Sequence, residues 1–151
     1  MLFRSRFPPW TRIPLAEVLP SLTLVPNGLR ADRVRRYGPA LVVLLDGDVY
    51  MEPQGTRITG GASARFLLDR AEGQTMRIFV RNVPVANRVT LSSGGWREVL
   101  TLAPREERLV DIPATGARIL LDVVSAAGAR PFDVEPGNGD RRRLGVWIEA
   151  R

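Results

Sequence analysis

The chain has 151 residues, a length typical of a single domain, and a formal net charge of +6. It contains no histidine, cysteine or lysine, so all 22 of its basic residues are arginines. For this chain, these absences exclude a histidine-dependent catalytic triad, a thiolate nucleophile or thiolate zinc site, a lysine Schiff base and a lysine-containing phosphate loop.

The first part of the chain shows no pattern of a long regular element. Prolines recur between residues 8 and 39, and only Leu22–Val25 resembles a short strand. Residues 2–5 read Leu-Phe-Arg-Ser, which matches the translated end of a common sequencing adapter. We therefore expect Met1 to about Ser5 to be non-biological and the chain to be the carboxy-terminal part of a larger protein. Residues 1–19 are predicted to form an irregular segment, and residues 20–151 the folded domain.

From residue 40 the sequence changes to short apolar segments separated by turn signals. Asp46-Gly47 and Gly60-Gly61 predict two hairpins, and Gly94-Gly95 marks a further turn. Turn signals at intervals of about 8–12 residues are typical of sandwiches and barrels. The predicted fold is all-β, a jelly-roll-like antiparallel sandwich of two sheets with about eight or nine strands. The segments that predict strands are 40–45, 49–52, 56–59, 63–68, 75–81, 88–91, 96–102, 107–112, 118–124 and 144–149.

Aromatic side chains depart from the apolar face of two predicted strands. Residues 75–81 alternate, so that Arg77, Phe79 and Arg81 point away from the apolar side chains between them. Trp147 has the opposite parity to its apolar neighbours in the last strand. Exposed aromatic rings stack on sugars, although large aromatics more often pack in cores or at edges. The candidate ligand-binding residues are Trp147, Tyr50, Phe79, Arg77 and Arg81.

The loop over residues 126–139 is rich in glycine and proline, and oxygen-bearing side chains gather towards its end. Asp133, Glu135 and Asp140 are candidate ligands for a structural calcium ion, which prefers carboxylate and carbonyl oxygens. The alternative is a solvated loop in which Asp140 pairs with Arg142 or Arg143. No other cofactor is expected.

Positive charge often serves to bind nucleic acid, and in that case Arg141–Arg143 would contact phosphates. A binder of single strands would also interleave aromatic and basic residues along one face. Only Arg77, Phe79 and Arg81 suggest that arrangement, so we do not expect nucleic acid as a partner. The chain also has no apolar run of about 18 residues, so we expect no membrane segment in it.

Three segments carry a family resemblance. They are Pro131–Pro136 (Pro-Phe-Asp-Val-Glu-Pro), Gly139–Ile148 (Gly-Asp-Arg-Arg-Arg-Leu-Gly-Val-Trp-Ile) and Val49–Gly55 (Val-Tyr-Met-Glu-Pro-Gln-Gly). Together they resemble the soluble β-sandwich domains that follow membrane-embedded glycosyltransferases in bacteria, and domains of related envelope proteins. The resemblance implies a bacterial, extracytoplasmic accessory domain, periplasmic or in the cell envelope, with a fold like that of a carbohydrate-binding module.

The expected function is therefore non-catalytic binding of a glycan. Two alternatives remain open. The domain could be a structural module that docks on an upstream domain of the same protein, for which an exposed apolar face would be the sign. It could also bind polyanions through arginine, for which steep salt dependence would be the sign.

Overall fold

The computed structural model describes residues 33–38, 40–70, 75–113 and 116–151. The expected strand at Leu22–Val25, the irregular segment and the domain boundary near residue 20 lie outside these residues. The described part contains eleven strands and one helical turn. The strands are β1 Val34–Tyr37, β2 Ala40–Gly47, β3 Val49–Met51, β4 Thr56–Thr59, β5 Ser63–Arg70, β6 Met76–Arg81, β7 Asn87–Ser93, β8 Trp96–Leu102, β9 Glu107–Ile112, β10 Arg118–Ser125 and β11 Leu144–Ala150, and the helical turn is α1 Pro131–Val134.

The strands form two antiparallel sheets, which confirms the predicted all-β sandwich. The large sheet has six strands in the order β1-β2-β5-β10-β7-β8. The small sheet has five strands in the order β3-β4-β11-β6-β9. The strand count is higher than the expected eight or nine, partly because β1 lies between Leu22–Val25 and residue 40, where the sequence predicts no strand.

Two expected hairpins are wrong. The strands on either side of Asp46-Gly47, β2 and β3, lie in different sheets, and so do β4 and β5 around Gly60-Gly61. At Gly47 the backbone has φ +115°, and a side chain there would collide with the backbone of Ser63 and Ala64. The chain therefore leaves one sheet for the other at this corner. The turn at Gly94-Gly95, in contrast, joins β7 and β8, which pair directly.

The main core lies between the two sheets and follows the predicted alternation. In β6, Met76, Ile78 and Val80 are buried in this core. In β10 the same holds for Ile119, Leu121 and Val123. Alternate side chains of a strand point to opposite faces, so the remaining residues of β6 occupy the outer face of the small sheet.

A second apolar cluster lies on the opposite face of the large sheet. It joins Val34, Leu41, Val43 and Leu67, which are all buried. The continuous apolar run of β2 follows from this arrangement, because its alternate residues enter the two clusters. Among the residues described, no helix has the length and hydropathy needed to cross a bilayer.

Candidate functional site

Side chains from all strands of the small sheet share its outer face, the face turned away from the core. One row crosses the sheet in register: Tyr50 pairs with Arg57, Arg57 with Trp147, Trp147 with Arg81, and Arg81 with Glu107. The five strands therefore bring three of the predicted site residues, Tyr50, Trp147 and Arg81, into one line. Phe79 and Arg77 lie on the same face, further along β6.

Arginines cover the aromatic rings on this face. Trp147 and Phe79 lie outside the main core, as their parity predicts, yet they are only 8% and 7% exposed. The Arg57 guanidinium lies 5.2 Å from the centre of the Trp147 ring, and the Arg151 guanidinium lies 4.0 Å from that of Phe79. Sequence parity gives the direction of a side chain but not what covers it. The two rings are therefore not open stacking platforms.

Tyr50 has a similar environment. Its side chain is half-buried, and the guanidinium of Arg142 lies 4.8 Å from the ring centre. Arg142 also donates to Asp140, and its Nη1 lies 3.9 Å from Oε1 of Glu52. Each aromatic residue of the row thus has an arginine above it, a cation–π arrangement that orients the guanidinium planes.

Arg77 and Arg81 form ladder ion pairs between β6 and β9. Arg77 Nε donates to Asp111 Oδ1 at 2.7 Å, and Arg81 Nε donates to Glu107 Oε1 at 2.9 Å. This hydrogen bond, donated by Arg77, lowers the pKa of Asp111 and raises the pKa of Arg77. The two arginines are matched in strand, partner type and exposure, at 51% and 49% of the side chain.

A cleft opens where this outer face meets the loop between β10 and β11. Its volume is ≈ 490 Å³. Of the predicted site residues, Arg81, Glu135 and Asp140 line it, whereas Trp147, Tyr50, Phe79, Arg77 and Asp133 do not. The full lining is Arg57, Arg81, Asn82, Val83, Pro84, Arg105, Glu107, Ala129, Pro131, Glu135, Asn138, Asp140 and Leu144.

The loop carboxylates of the cleft have arginine and amide partners. Asp140 accepts from Arg142 Nη2 at 2.7 Å and from the Arg142 backbone N–H at 2.9 Å, which together lower its pKa to about 2. Glu135 accepts from Asn138 Nδ2 at 2.7 Å and lies 3.4 Å from Arg105 Nη2. The Asp140–Arg142 pair is the expected alternative to metal binding.

The predicted calcium ligands do not form a cluster. Within the described ranges, which include Asp133, Glu135 and Asp140, no three carboxylates are arranged to hold a metal ion. This geometry favours the ion-pair interpretation of the loop, and the calcium site stays a prediction.

Arg57 is one of the cleft residues that sequence reasoning missed. Its guanidinium is half-buried, and its Nη1 donates to the Gly145 carbonyl at 3.4 Å. Among the residues that the structure describes, no carboxylate lies within 4.0 Å of it. Burial lowers the pKa of Arg57 most, Arg81 and Arg142 lower it further, and Glu52 and Asp140 partly offset these effects.

Arg105 reaches the cleft from the turn between β8 and β9. Its backbone has φ +61°, in the left-handed region that non-glycine residues seldom adopt. Its N–H donates to the Val83 carbonyl at 3.0 Å, which fixes the turn against the end of β6. This wall of the cleft is therefore held by backbone hydrogen bonding as well as by side chains.

Buried amides hold the base of the cleft. Asn82 Nδ2 donates to the carbonyls of Val85 and Ala103, at 2.7 and 2.8 Å. Asn87 Nδ2 donates to Asn82 Oδ1 and to Ser125 Oγ, at 3.1 and 3.0 Å. Because buried polar groups are costly to leave unpaired, this network fixes the position of the chain at the end of β6.

Comparisons with known proteins give no family for the chain. No protein-family model matches it, and no curated protein matches it. One solved structure that resembles it is a family GH115 4-O-methyl-α-glucuronidase with specificity for decorated arabinogalactans, at a TM-score of 0.44 and 15% sequence identity. The match covers 70% of this chain and 15% of that chain. Because a similarity this low carries no functional inference, any function assigned to the chain rests on its own residues.

Proposed function

We propose that this domain is a non-catalytic glycan-binding module whose ligand occupies the cleft. The observation that carries the proposal is the lining of the cleft, which combines arginine donors, carboxylate acceptors and apolar side chains. A volume of ≈ 490 Å³ lies within the range of about 300–1,000 Å³ that is usual for small-ligand sites.

The chemistry of this lining suits a sugar. Each sugar hydroxyl both donates and accepts a hydrogen bond, so a complementary site needs both kinds of partner. Arg57, Arg81 and Arg105 supply donors, and the carboxylates of the lining supply acceptors. Val83 and Pro84 add apolar surface for the C–H groups of a pyranose ring.

The arginine partners of the carboxylates favour a binding role over glycoside hydrolysis. A glycosidase needs a general acid, which is a carboxyl group with a raised pKa, opposite a second carboxylate. In this cleft the pKa of Asp140 is lowered to about 2, and Glu107 and Glu135 are ion-paired with arginines. Asp140 therefore suits hydrogen-bond acceptance better than proton donation, and Glu107 and Glu135 already accept hydrogen bonds from Arg81 and Arg105.

A glycan array followed by calorimetry on the purified chain tests the proposal. Arg81→Ala should weaken binding of the glycan found on the array by about tenfold or more, because Arg81 lines the cleft. Arg77→Ala is the matched control, since Arg77 has the same strand, face and type of ion pair but lies outside the cleft. Equal losses in the two variants, or an array without any binding, would overturn the proposal.

The large sheet supports a second candidate function, docking on a protein domain. Its outer face exposes Leu120, Val124 and Val99, and the last two are each in register with Thr90. Exposed apolar side chains on one face can mark a protein-binding surface. A chain that binds no glycan but self-associates, and loses that association in Leu120→Ser, would favour docking.

A further inference from the structure

We propose that Arg57 recognises an anionic group, and that the glycan is therefore an acidic sugar whose carboxylate Arg57 binds. This inference rests on the proposed function and deepens it, because it names the class of ligand. Arg57 differs in its partners from the other arginines that line the cleft.

The other two arginines that line the cleft are paired with carboxylates, and so is Arg142 beside it. Arg81 pairs with Glu107 at 2.9 Å, Arg105 with Glu135 at 3.4 Å, and Arg142 with Asp140 at 2.7 Å. In the part of the chain that the structure describes, Arg57 has no such partner and donates to a single carbonyl, that of Gly145. Arg57 is thus the cation of the cleft whose charge is left for a ligand.

Partial burial makes the unpaired charge of Arg57 costly in free energy. A guanidinium that is partly removed from water loses hydration, and an anion in hydrogen-bonding range restores the lost stabilisation. The direction of the Arg57 pKa shift agrees, since desolvation is its first cause and Arg81 and Arg142 repel the charge further. A bound carboxylate would reverse this shift.

The position of the guanidinium suits a planar anion. Its carbon lies 5.2 Å from the centre of the Trp147 ring, and its Nη1 is fixed by Gly145, so two contacts restrict its orientation. A guanidinium has five N–H donors, and two of them can meet both oxygens of a carboxylate in parallel. A sulfate or phosphate group offers similar oxygens, so the experiment must separate these sources.

The charges around Arg57 make the recognition local. In and beside the cleft, positive groups lie close to an equal number of negative groups, so the charges balance. The arginines are Arg57, Arg81, Arg105 and Arg142, and the carboxylates are Glu52, Glu107, Glu135 and Asp140. A balanced site exerts little long-range attraction on polyanions. Selectivity for an acidic sugar must then come from the hydrogen bonds of Arg57 at short range.

The test compares galacturonate with galactose, which differ in one carboxylate in place of a hydroxymethyl group. Binding to the purified chain is measured by calorimetry and by tryptophan fluorescence, since Trp147 contacts Arg57. We expect the wild type to bind galacturonate about ten- to a hundredfold more tightly than galactose. We expect Arg57→Gln to lose this preference, and Arg57→Lys to keep part of it, because lysine retains the charge without the planar fork.

The controls separate this inference from the proposed function. A wild type that binds galactose and galacturonate equally, with losses in Arg81→Ala, would overturn the role of Arg57 and leave glycan binding intact. Arg57-dependent binding of galacturonate, galactose 6-sulfate and inorganic phosphate with equal affinity would overturn the assignment to carboxylates. Failure to bind any sugar, neutral or acidic, would overturn both proposals. If Arg57→Gln does not fold, Arg57→Lys is the test: a reduced preference for galacturonate supports the role of Arg57, and an unchanged preference would overturn the role of its planar guanidinium.

Discussion

At the scale of single residues, Arg70 is the least expected group in the described part of the chain. It ends β5 with the same parity as Phe66 and Leu68, and the residue is only 8% exposed. Within the described residues, its Nε and Nη1 are buried without a hydrogen-bond partner. A guanidinium in this position costs free energy on folding, since it loses water and gains no acceptor.

Arg70→Met should therefore stabilise the protein. Methionine has a similar length and no polar group, so we expect the free energy of unfolding to rise by about 1–2 kcal/mol. Urea denaturation measures this change, and Arg88→Met, at an exposed position of β7, is the control, expected to stay within about 0.5 kcal/mol. A fall in stability for Arg70→Met would show that Arg70 makes stabilising contacts that outweigh the cost of its burial.

Asp140 gives a prediction about pH. Its folded-state pKa is about 2, below the ordinary value of 3.8, because Arg142 donates to it through side chain and backbone. A lowered folded-state pKa stabilises the protein above the unfolded pKa, and this contribution is lost as the pH falls through the folded pKa. The stability advantage of the wild type over Asp140→Asn should thus be complete at pH 6 and shrink between about pH 4 and pH 2. Denaturation curves of both proteins at these pH values measure it, and a constant difference would contradict the assignment.

At the scale of elements, the polar network connects β7 with β10 and the segment beyond it. Asn87 donates to Asn82 and Ser125, and its Oδ1 accepts from the Ala127 N–H at 2.8 Å. The Ser125 hydroxyl in turn accepts from the Val146 N–H at 3.1 Å, which brings in β11. Gly145 permits this approach, because a Cβ there would lie 2.6 Å from Ser125 Oγ.

Asn87→Ala should destabilise the domain by about 2–3 kcal/mol. The substitution removes one side chain and leaves the buried side-chain oxygen of Asn82 and the part-buried Ala127 N–H without their partner. Denaturation in urea measures the loss, with Thr101→Ala, at an exposed site of β8, as the control expected to change little. A loss no larger than that of the control would mean that water replaces Asn87 in the network.

The face of a strand and the position of a turn could be predicted from the sequence, whereas the sheet that each strand joins could not. Alternation placed Phe79 and Trp147 on the outer face correctly, because the period of a strand is a local property. Turn signals located the corners, but not which sheet the next strand joins, so the hairpins at residues 46–47 and 60–61 were wrong. Arg57 was missed because its neighbour Trp147 comes from β11, far along the chain, and only register brings them together.

At the scale of the whole molecule, the net charge of +6 suggests a polyanion binder, but several arginines of the described residues are paired with carboxylates across strands. On the small sheet, cross-strand pairs such as Arg77–Asp111 and Arg81–Glu107 match arginines with carboxylates. On the large sheet, Arg65 forms an ion pair with Asp122, with 2.7 Å between Arg65 Nε and Asp122 Oδ1. Exposed pairs of this kind add little stability, but they reduce the field that would attract nucleic acid or polyanionic glycans.

The salt dependence of binding separates recognition of an acidic sugar by Arg57 from polyanion binding by dispersed arginines. If Arg57 is the main ionic contact, the affinity for galacturonate should fall by less than about fourfold between 50 and 200 mM NaCl, which is the loss for one neutralised phosphate of DNA, because a monosaccharide has no condensed counterions to release. A protein that makes six to ten phosphate contacts loses about a thousandfold or more over that range. Calorimetry with galacturonate and fluorescence titration with a duplex DNA, each at both salt concentrations, measure the two slopes. DNA binding that is tighter than galacturonate binding and falls steeply with salt would mean that dispersed arginines, and not Arg57 in its cleft, dominate recognition.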